Sequence, residues 1–250
     1  MDVDVVILAG RRNSGKIAPP AEAAWEALIP VAGQPLVRWV AAAVTATAGV
    51  RRTVVVGPVA ELGTALGDLP VEVVPPGADV LDSALAGAAR LNGERPILFC
   101  TGDIPMIRAE DLERFLAACD REPGDVFYAV VDRAVAEAAY PGVRRTWVRL
   151  ADGTVTGGNL LLIRSAVLGS SAGRARALLA ARKKPWRLAS LVGWGILVRF
   201  LLGSLTLAGA AERVSAVFGV RGVVVRAVDA AIGVDVDKPA DLALARRVLS

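Results

Sequence analysis

Three short stretches of the chain carry residue types and spacings suited to phosphate and metal chemistry. The first is Leu8-Ala9-Gly10-Arg11-Arg12-Asn13-Ser14-Gly15-Lys16. Backbone amides exposed by a glycine-containing loop, with Arg11, Arg12 and Lys16 beside them, suit a polyphosphate. Gly10, Gly15 and Lys16 also fit most of the P-loop pattern, but Ile17 stands where that pattern needs a hydroxyl for Mg²⁺. Ala18-Pro19-Pro20 then disfavours the helix that must follow. In the second stretch, Thr101-Gly102-Asp103-Ile104-Pro105, Asp103 at the end of a strand is placed either to hold a hard cation or to cap a turn or helix. The third runs from Gly233 to Leu242 and contains Asp235-Val236-Asp237-Lys238-Pro239. Its two carboxylates point the same way if the backbone is extended, although Asp237 is also placed to cap a helix starting near Pro239.

What the chain lacks narrows this chemistry further. It has 250 residues and no His, which removes imidazole bases, His-ligated metals and the Ser-His-Asp and Cys-His dyads together. Acid, base and metal roles fall to carboxylates. The two cysteines, Cys100 and Cys119, cannot make a zinc site alone, and Cys100 sits in an apolar run where a buried thiol is expected. A hydrophobic content of 54% over this length can bury a large core, so disorder and disulfide-stapled scaffolds are excluded.

The elements that must position these residues read as alternating strands and helices. Strand-like runs at 5–9, 53–57, 71–74 and 97–101 alternate with helical patterns at 36–48, 59–66, 80–91 and 109–118. That rhythm predicts an α/β fold with a mostly parallel sheet and helices on both faces. Strands at 126–131, 146–150 and 154–163, the latter two around the turn Ala151-Asp152-Gly153, predict a hairpin and hence a mixed sheet. A strand at 222–228 and a helix at 239–249 complete one expected domain over 1–250, with a helical insert at about 165–218.

Charge is uneven. No acidic residue lies between Asp152 and Glu212, where Arg164, Arg174, Arg176, Arg182, Lys183, Lys184, Arg187 and Arg199 gather, while the whole chain carries only +4. The insert reads either as a solvated basic face or as a surface for an anionic partner. The apolar stretch 188–211 is diluted by Gly and interrupted by Arg199, and reads as a buried or interfacial helical pair rather than a membrane span. Met1-Asp2-Val3-Asp4 leads straight into a strand with no basic flank, so a cytoplasmic location is expected. Nucleic acid is not expected as a partner, since the basic insert is interleaved with Leu and Val rather than exposed aromatics.

In this order, Leu8-Ala9-Gly10, the segment Ala27 to Leu36, Gly102-Asp103-Ile104-Pro105 and Val234 to Leu242 resemble the MobA-like nucleotidyltransferases of GT-A (Rossmann-like) fold. Asn13-Ser14-Gly15-Lys16, Tyr140-Pro141-Gly142-Val143 and Thr156-Gly157-Gly158-Asn159-Leu160 are similar to those of an uncharacterised bacterial branch. The resemblance implies that Asp103 is a Mg²⁺ ligand and that Asp237, with Asp235 as its competitor, is the second. It implies that Leu8, Ala9, Gly10, Arg11, Arg12 and Lys16 meet the nucleotide phosphates. Gly77, Asp82 and Ser83 resemble the segment that holds the base in the methylerythritol phosphate cytidylyltransferases, although Ser83 also fits simply inside a helix. Two positions depart from the pattern: Arg11 stands where a second Gly is usual, and Glu26 where a Lys is usual. Lys16 is expected to supply the missing charge.

The expected reaction is transfer of NMP from an NTP to a phosphorylated acceptor, either a small molecule or a lipid-linked one. Lys16 and Asp103 would carry catalysis, and Gly157, Gly158 and Asn159 would meet the acceptor. Alternatively, the glycines mark a bulge. The insert, at 174–210, is expected either to shape the acceptor pocket or to touch a membrane. Two rival readings are a nucleotide-sugar glycosyltransferase of the same fold and a nucleotide-binding module without turnover. Against the first, Asp103 lacks an Asp-x-Asp partner in mid-chain; Glu26 in place of Lys favours the second.

Overall fold

The computed structural model of the protein describes residues 1–167 and 193–250. Most of the basic cluster, Arg174 to Arg187, lies outside the described residues. Valine-rich runs form the strands because branched side chains pack well on a pleated, buried surface. β1 (Val3–Leu8) is central and is followed by the short ribbon of β2 (Pro30–Val31) and β3 (Gln34–Pro35). β4 (Val50–Val56), β5 (Glu72–Val74) and β6 (Ile97–Thr101) join β1 in a parallel array, with β4 and β6 on either side of it. β7 (Val126–Asp132), β8 (Val148–Leu150), β9 (Gly153–Ile163) and β10 (Gly222–Ala227) complete the sheet in the order β10-β7-β9-β6-β1-β4-β5, with β8 beside β9. β9 returns from its hairpin and inserts antiparallel between β6 and β7, which makes the sheet mixed.

Helices cover both faces. Val5, Ile7, Leu98, Phe127, Leu160 and Leu162 point to one side, against α1 (Leu36–Ala46), α2 (Val59–Leu66) and α4 (Ala109–Arg121). Val6, Val54, Val56, Ile97 and Phe99 point to the other, where α3 (Val80–Ala88) lies. This alternation is the two-residue period of a strand buried on both sides, and each fully buried Val, Ile or Leu is worth roughly 1.5–3 kcal/mol. α1 stops at Ala46, short of the expected 48, because Thr47 turns extended and Gly49 takes a positive φ of 88° before β4 begins.

Among the described residues four elements go beyond the expected pattern: the β2–β3 ribbon, the single turns Glu26–Leu28 and Ala230–Gly233, and α5 (Arg133–Ala139). Within the insert, α6 (Trp194–Leu201) and α7 (Leu207–Phe218) confirm a helical pair, but neither contains a buried residue. The buried alternative is therefore corrected for this part. Trp194, Leu201 and Leu202 are exposed instead, since nothing among the described residues packs over them. Among the described residues no helix is long and apolar enough to cross a membrane. α8 (Pro239–Leu249) ends the chain, with Pro239 at its first turn as expected for a residue that lacks a backbone N–H.

Candidate active site

The three stretches meet at the carboxyl ends of β1 and β6, where open α/β sheets gather ligands. One backbone bond makes the join: the Val236 amide donates to the Asp103 carbonyl at 2.9 Å, bringing the segment before α8 against the turn after β6. As a result Asp103, Asp235 and Asp237 each place a carboxylate oxygen within 4.8 Å of the others. Burial raises the pKa of Asp103, and facing Asp237 adds to this. Burial likewise pushes Asp235 up to about 7, with Arg145 pulling the other way and Asp103 and Asp237 adding. Carboxylates packed this closely resist ionising together unless a cation joins them. Asp103 Oδ1 is buried and has no hydrogen-bond partner, and the donor set is all oxygen, which fits a hard cation such as Mg²⁺. Asp237 does not cap α8 with its side chain; that helix has no side-chain cap, and the Asp237 amide donates to Asp241 Oδ2 at 3.2 Å.

The loop after β1 holds its cations in three ways. No helix starts at Lys16, and Ile17 and Ala18 are buried, so the P-loop pattern is coincidental. Asn13 crosslinks the loop: its side-chain amide donates to the Ala18 and Ala23 carbonyls, and its Oδ1 accepts from the Gly15 amide at 2.9 Å. Lys16 is exposed, near enough to Glu26 for its charge to act on that carboxylate. Arg11 pairs with both Glu26 and Asp237. Arg12 is directed elsewhere, its guanidinium 3.9 Å above the Trp25 ring, where a cation is attracted by the face of the indole. Leu8 and Ala9 lead the loop out of the sheet, and Gly10 lies so close to Pro76 that a Cβ would sit 2.8 Å from the proline Cβ.

On the opposite side of the cleft, Asp79 caps α3 by accepting from the Asp82 amide at 2.8 Å. Ser83 lies inside α3 and accepts from the Gly77 amide at 3.0 Å, so the hydroxyl folds the 77–83 turn onto the helix. A Cβ on Gly77 would stand 2.6 Å from the Asp82 carbonyl carbon. The simpler alternative for Ser83, a place inside the helix, is what the structure shows, and its hydroxyl also closes the turn onto Gly77.

The β9 residues are used differently from one another. The Tyr128 hydroxyl occupies the space over Gly157 where a Cβ would be. Gly158 is packed so closely against Ala129 and Ile232 that a Cβ would stand 2.9 Å from either, and the Asn159 amide donates to the Ile232 carbonyl at 3.0 Å. Gly158 is thus close-packed, and Asn159 ties β9 to the turn that precedes Asp235. The bulge alternative is seen between β7 and β9: Tyr128 pairs with Leu161 but Val130 with Gly157, so residues 158–160 of β9 stand opposite Ala129 alone. Sequence reasoning missed Tyr128 and Arg145, and quoted Asn13 in a motif without giving it a role. Asn13 alone had a local signal, an Asn two residues before Gly in a loop.

A mostly parallel α/β sheet with a cation-bearing loop after β1 and converging carboxylates beyond β6 and before α8 defines a nucleotide-transferring enzyme. The chain belongs to the MobA-like NTP transferase domain family, which matches residues 5–191. It is similar to a hypothetical transferase from Thermus thermophilus, 34% identical over 97% of this chain and 100% of that one, with a TM-score of 0.85. It shares its fold with a nucleotidyl transferase from Methanothermobacter thermautotrophicus, 20% identical over 99% of this chain and 98% of that one, TM-score 0.60. A CMP:2-keto-3-deoxy-manno-octonic acid synthetase solved with CTP is 18% identical over 100% of this chain and 98% of that one, TM-score 0.63. No curated protein matches the sequence.

Proposed function

We propose that the protein is a Mg²⁺-dependent nucleotidyltransferase that moves NMP from an NTP to a phosphorylated acceptor and releases pyrophosphate. The carrying observation is the convergence of Asp103, Asp235 and Asp237 within 4.8 Å beside the loop of Arg11 and Lys16. Asp103 and Asp237 would hold the ion, with Asp235 engaged by Arg145. Mg²⁺ there would neutralise phosphate oxygens. Lys16 and Arg11 meet the β- and γ-phosphates and the departing pyrophosphate. The turn formed by Gly77, Asp82 and Ser83 takes the nucleobase, and Gly157 with Tyr128 borders the acceptor.

An oxygen of the acceptor phosphate attacks the α-phosphorus, a P–O bond forms, and the bond from the α-phosphorus to the α–β bridging oxygen breaks in line with it. The attacking phosphate is already anionic, so the step asks for positioning and charge neutralisation rather than a strong base. That suits a chain without His. A thermal-shift panel of ATP, GTP, CTP and UTP, with and without Mg²⁺, tests this on wild type and Asp103→Asn. A Mg²⁺-dependent shift with one nucleotide, lost in the variant, is expected because a ligand of the native state stabilises by mass action. No shift with any nucleotide overturns the reading.

A lipid-linked acceptor, handled by a cytoplasmic protein at the membrane surface, is favoured by exposed Trp194, Val198, Leu201 and Leu202 beside Arg199. Sedimentation with anionic liposomes at low salt is expected. Its absence leaves a diffusible sugar-phosphate-like acceptor as the substrate.

A further inference from the structure

Arg11 and Glu26, the two departures from the family pattern, are partners in space. Arg11 Nε lies 3.0 Å from Glu26 Oε2 as an ion pair that is not aligned as a hydrogen bond, and the Glu26 amide donates to the Arg11 carbonyl at 3.0 Å, so the side chains are held by charge and the backbones by a hydrogen bond. The Glu26 side chain is only 5% exposed and that of Arg11 67%. The guanidinium therefore stands on the open side of the site with one edge anchored in the protein. Its Nη1 reaches Asp237 Oδ1 at 2.9 Å. The Asp237 side chain is 39% exposed, so it can exchange Arg11 for water or for a metal ion at little cost. Glu26 cannot: a buried carboxylate stripped of its cation is far more costly than an exposed one.

We propose that Glu26 is a positioning residue that fixes Arg11 by Nε, so that the Nη edge, resting on Asp237 in this structure, transfers to the phosphates of the leaving pyrophosphate when nucleotide and metal enter. The planar fork of arginine can keep one partner while changing another, which a lysine ammonium at the same place does far less well. The cation needed for the phosphates thus comes from the loop after β1, and the carboxylate at 26 holds it there. This inference rests on the nucleotidyltransferase reading.

Titration calorimetry with Mg²⁺-pyrophosphate on the full chain tests it, with Glu26→Gln, Arg11→Gln, the double variant and Arg11→Lys. Each single variant is expected to weaken binding about tenfold, and the double variant no further, because the two residues act as one unit. Wild-type affinity in Glu26→Gln, or losses that add in the double variant, overturns the inference. Should Glu26→Gln fail to fold, Arg11→Lys decides: it keeps the charge at an exposed position, and retention of wild-type affinity overturns the inference. If wild type binds neither Mg²⁺-pyrophosphate nor any Mg²⁺-NTP, the nucleotidyltransferase reading itself fails; if it binds and Glu26→Gln binds equally, only the role of Glu26 fails.

Discussion

Arg145 and Asp235, ninety residues apart in the chain, form an ion pair of 2.9 Å on the buried side of the acidic triad. A second guanidinium nitrogen donates to the Asp235 carbonyl, and Nη1 lies 4.0 Å from Asp241, which in turn accepts from the Asp237 amide. One arginine whose side chain is 6% exposed thus orders the whole segment that supplies two of the three carboxylates.

Arg145→Met is expected to destabilise the protein by about 3 kcal/mol, since it leaves Asp235 half-buried without its cation. The loss should be larger at pH 8 than at pH 6, where Asp235 can take up a proton instead. Urea unfolding at both values checks this, and equal stability to wild type at pH 8 would remove Arg145 from the account.

Asp103→Asn should leave the fold intact, because the amide has the same shape as a carboxyl that burial already disfavours as an ion. Pyrophosphate release should fall by roughly a thousandfold, as expected when a main electrostatic contact to the reacting groups is lost. Unchanged turnover in a coupled pyrophosphate assay would sink the assignment of the metal site.

The pH dependence has opposite signs for folding and for metal binding. Asp235, raised by burial from 3.8 to about 7, holds its proton in the folded chain where the unfolded chain has released it. This group favours folding below about pH 4, and that contribution is lost as the pH rises to about 7. A cation held by Asp103 and Asp237 gains from a charged Asp235 beside them, so Mg²⁺ affinity should climb, by up to about tenfold per unit, between about pH 5 and 7, then level off. Calorimetry across this range that finds a flat affinity would contradict it.

Gly77→Ala should cost roughly 1–3 kcal/mol and abolish nucleotide-induced stabilisation, because its Cβ would collide with the backbone of Asp82 and push the turn off Ser83. Gly33→Ala serves as a comparison; its Cβ would meet nothing within 4 Å, though its φ of 80° carries a strain of its own. Paired thermal shifts with and without nucleotide separate loss of stability from loss of binding.

Much of the architecture was legible because strands and helices announce themselves locally. The runs at 59–66, 97–101 and 239–249 match their elements to the residue, since apolar period and turn residues lie within each segment. The β2–β3 ribbon was not, because two-residue strands carry no period to read. α5 was missed for a similar reason: seven residues that follow directly on the last residue of β7, Asp132, leave no turn between strand and helix to read.

The site divides the same way. Local sequence alone singled out Asp103, Asp235, Asp237 and the loop from Gly10 to Lys16, because carboxylates and glycines at strand ends have a chemistry that can be recognised from neighbours. It could not show that Arg11 turns to Glu26 and Asp237, that Arg12 stacks on Trp25, that Asn159 faces inward to Ile232, or that Arg145 meets Asp235. Those pairings depend on which segments the sheet brings to one edge. A long side chain's partner is set by through-space distance and burial, and neither quantity is carried by position along the chain.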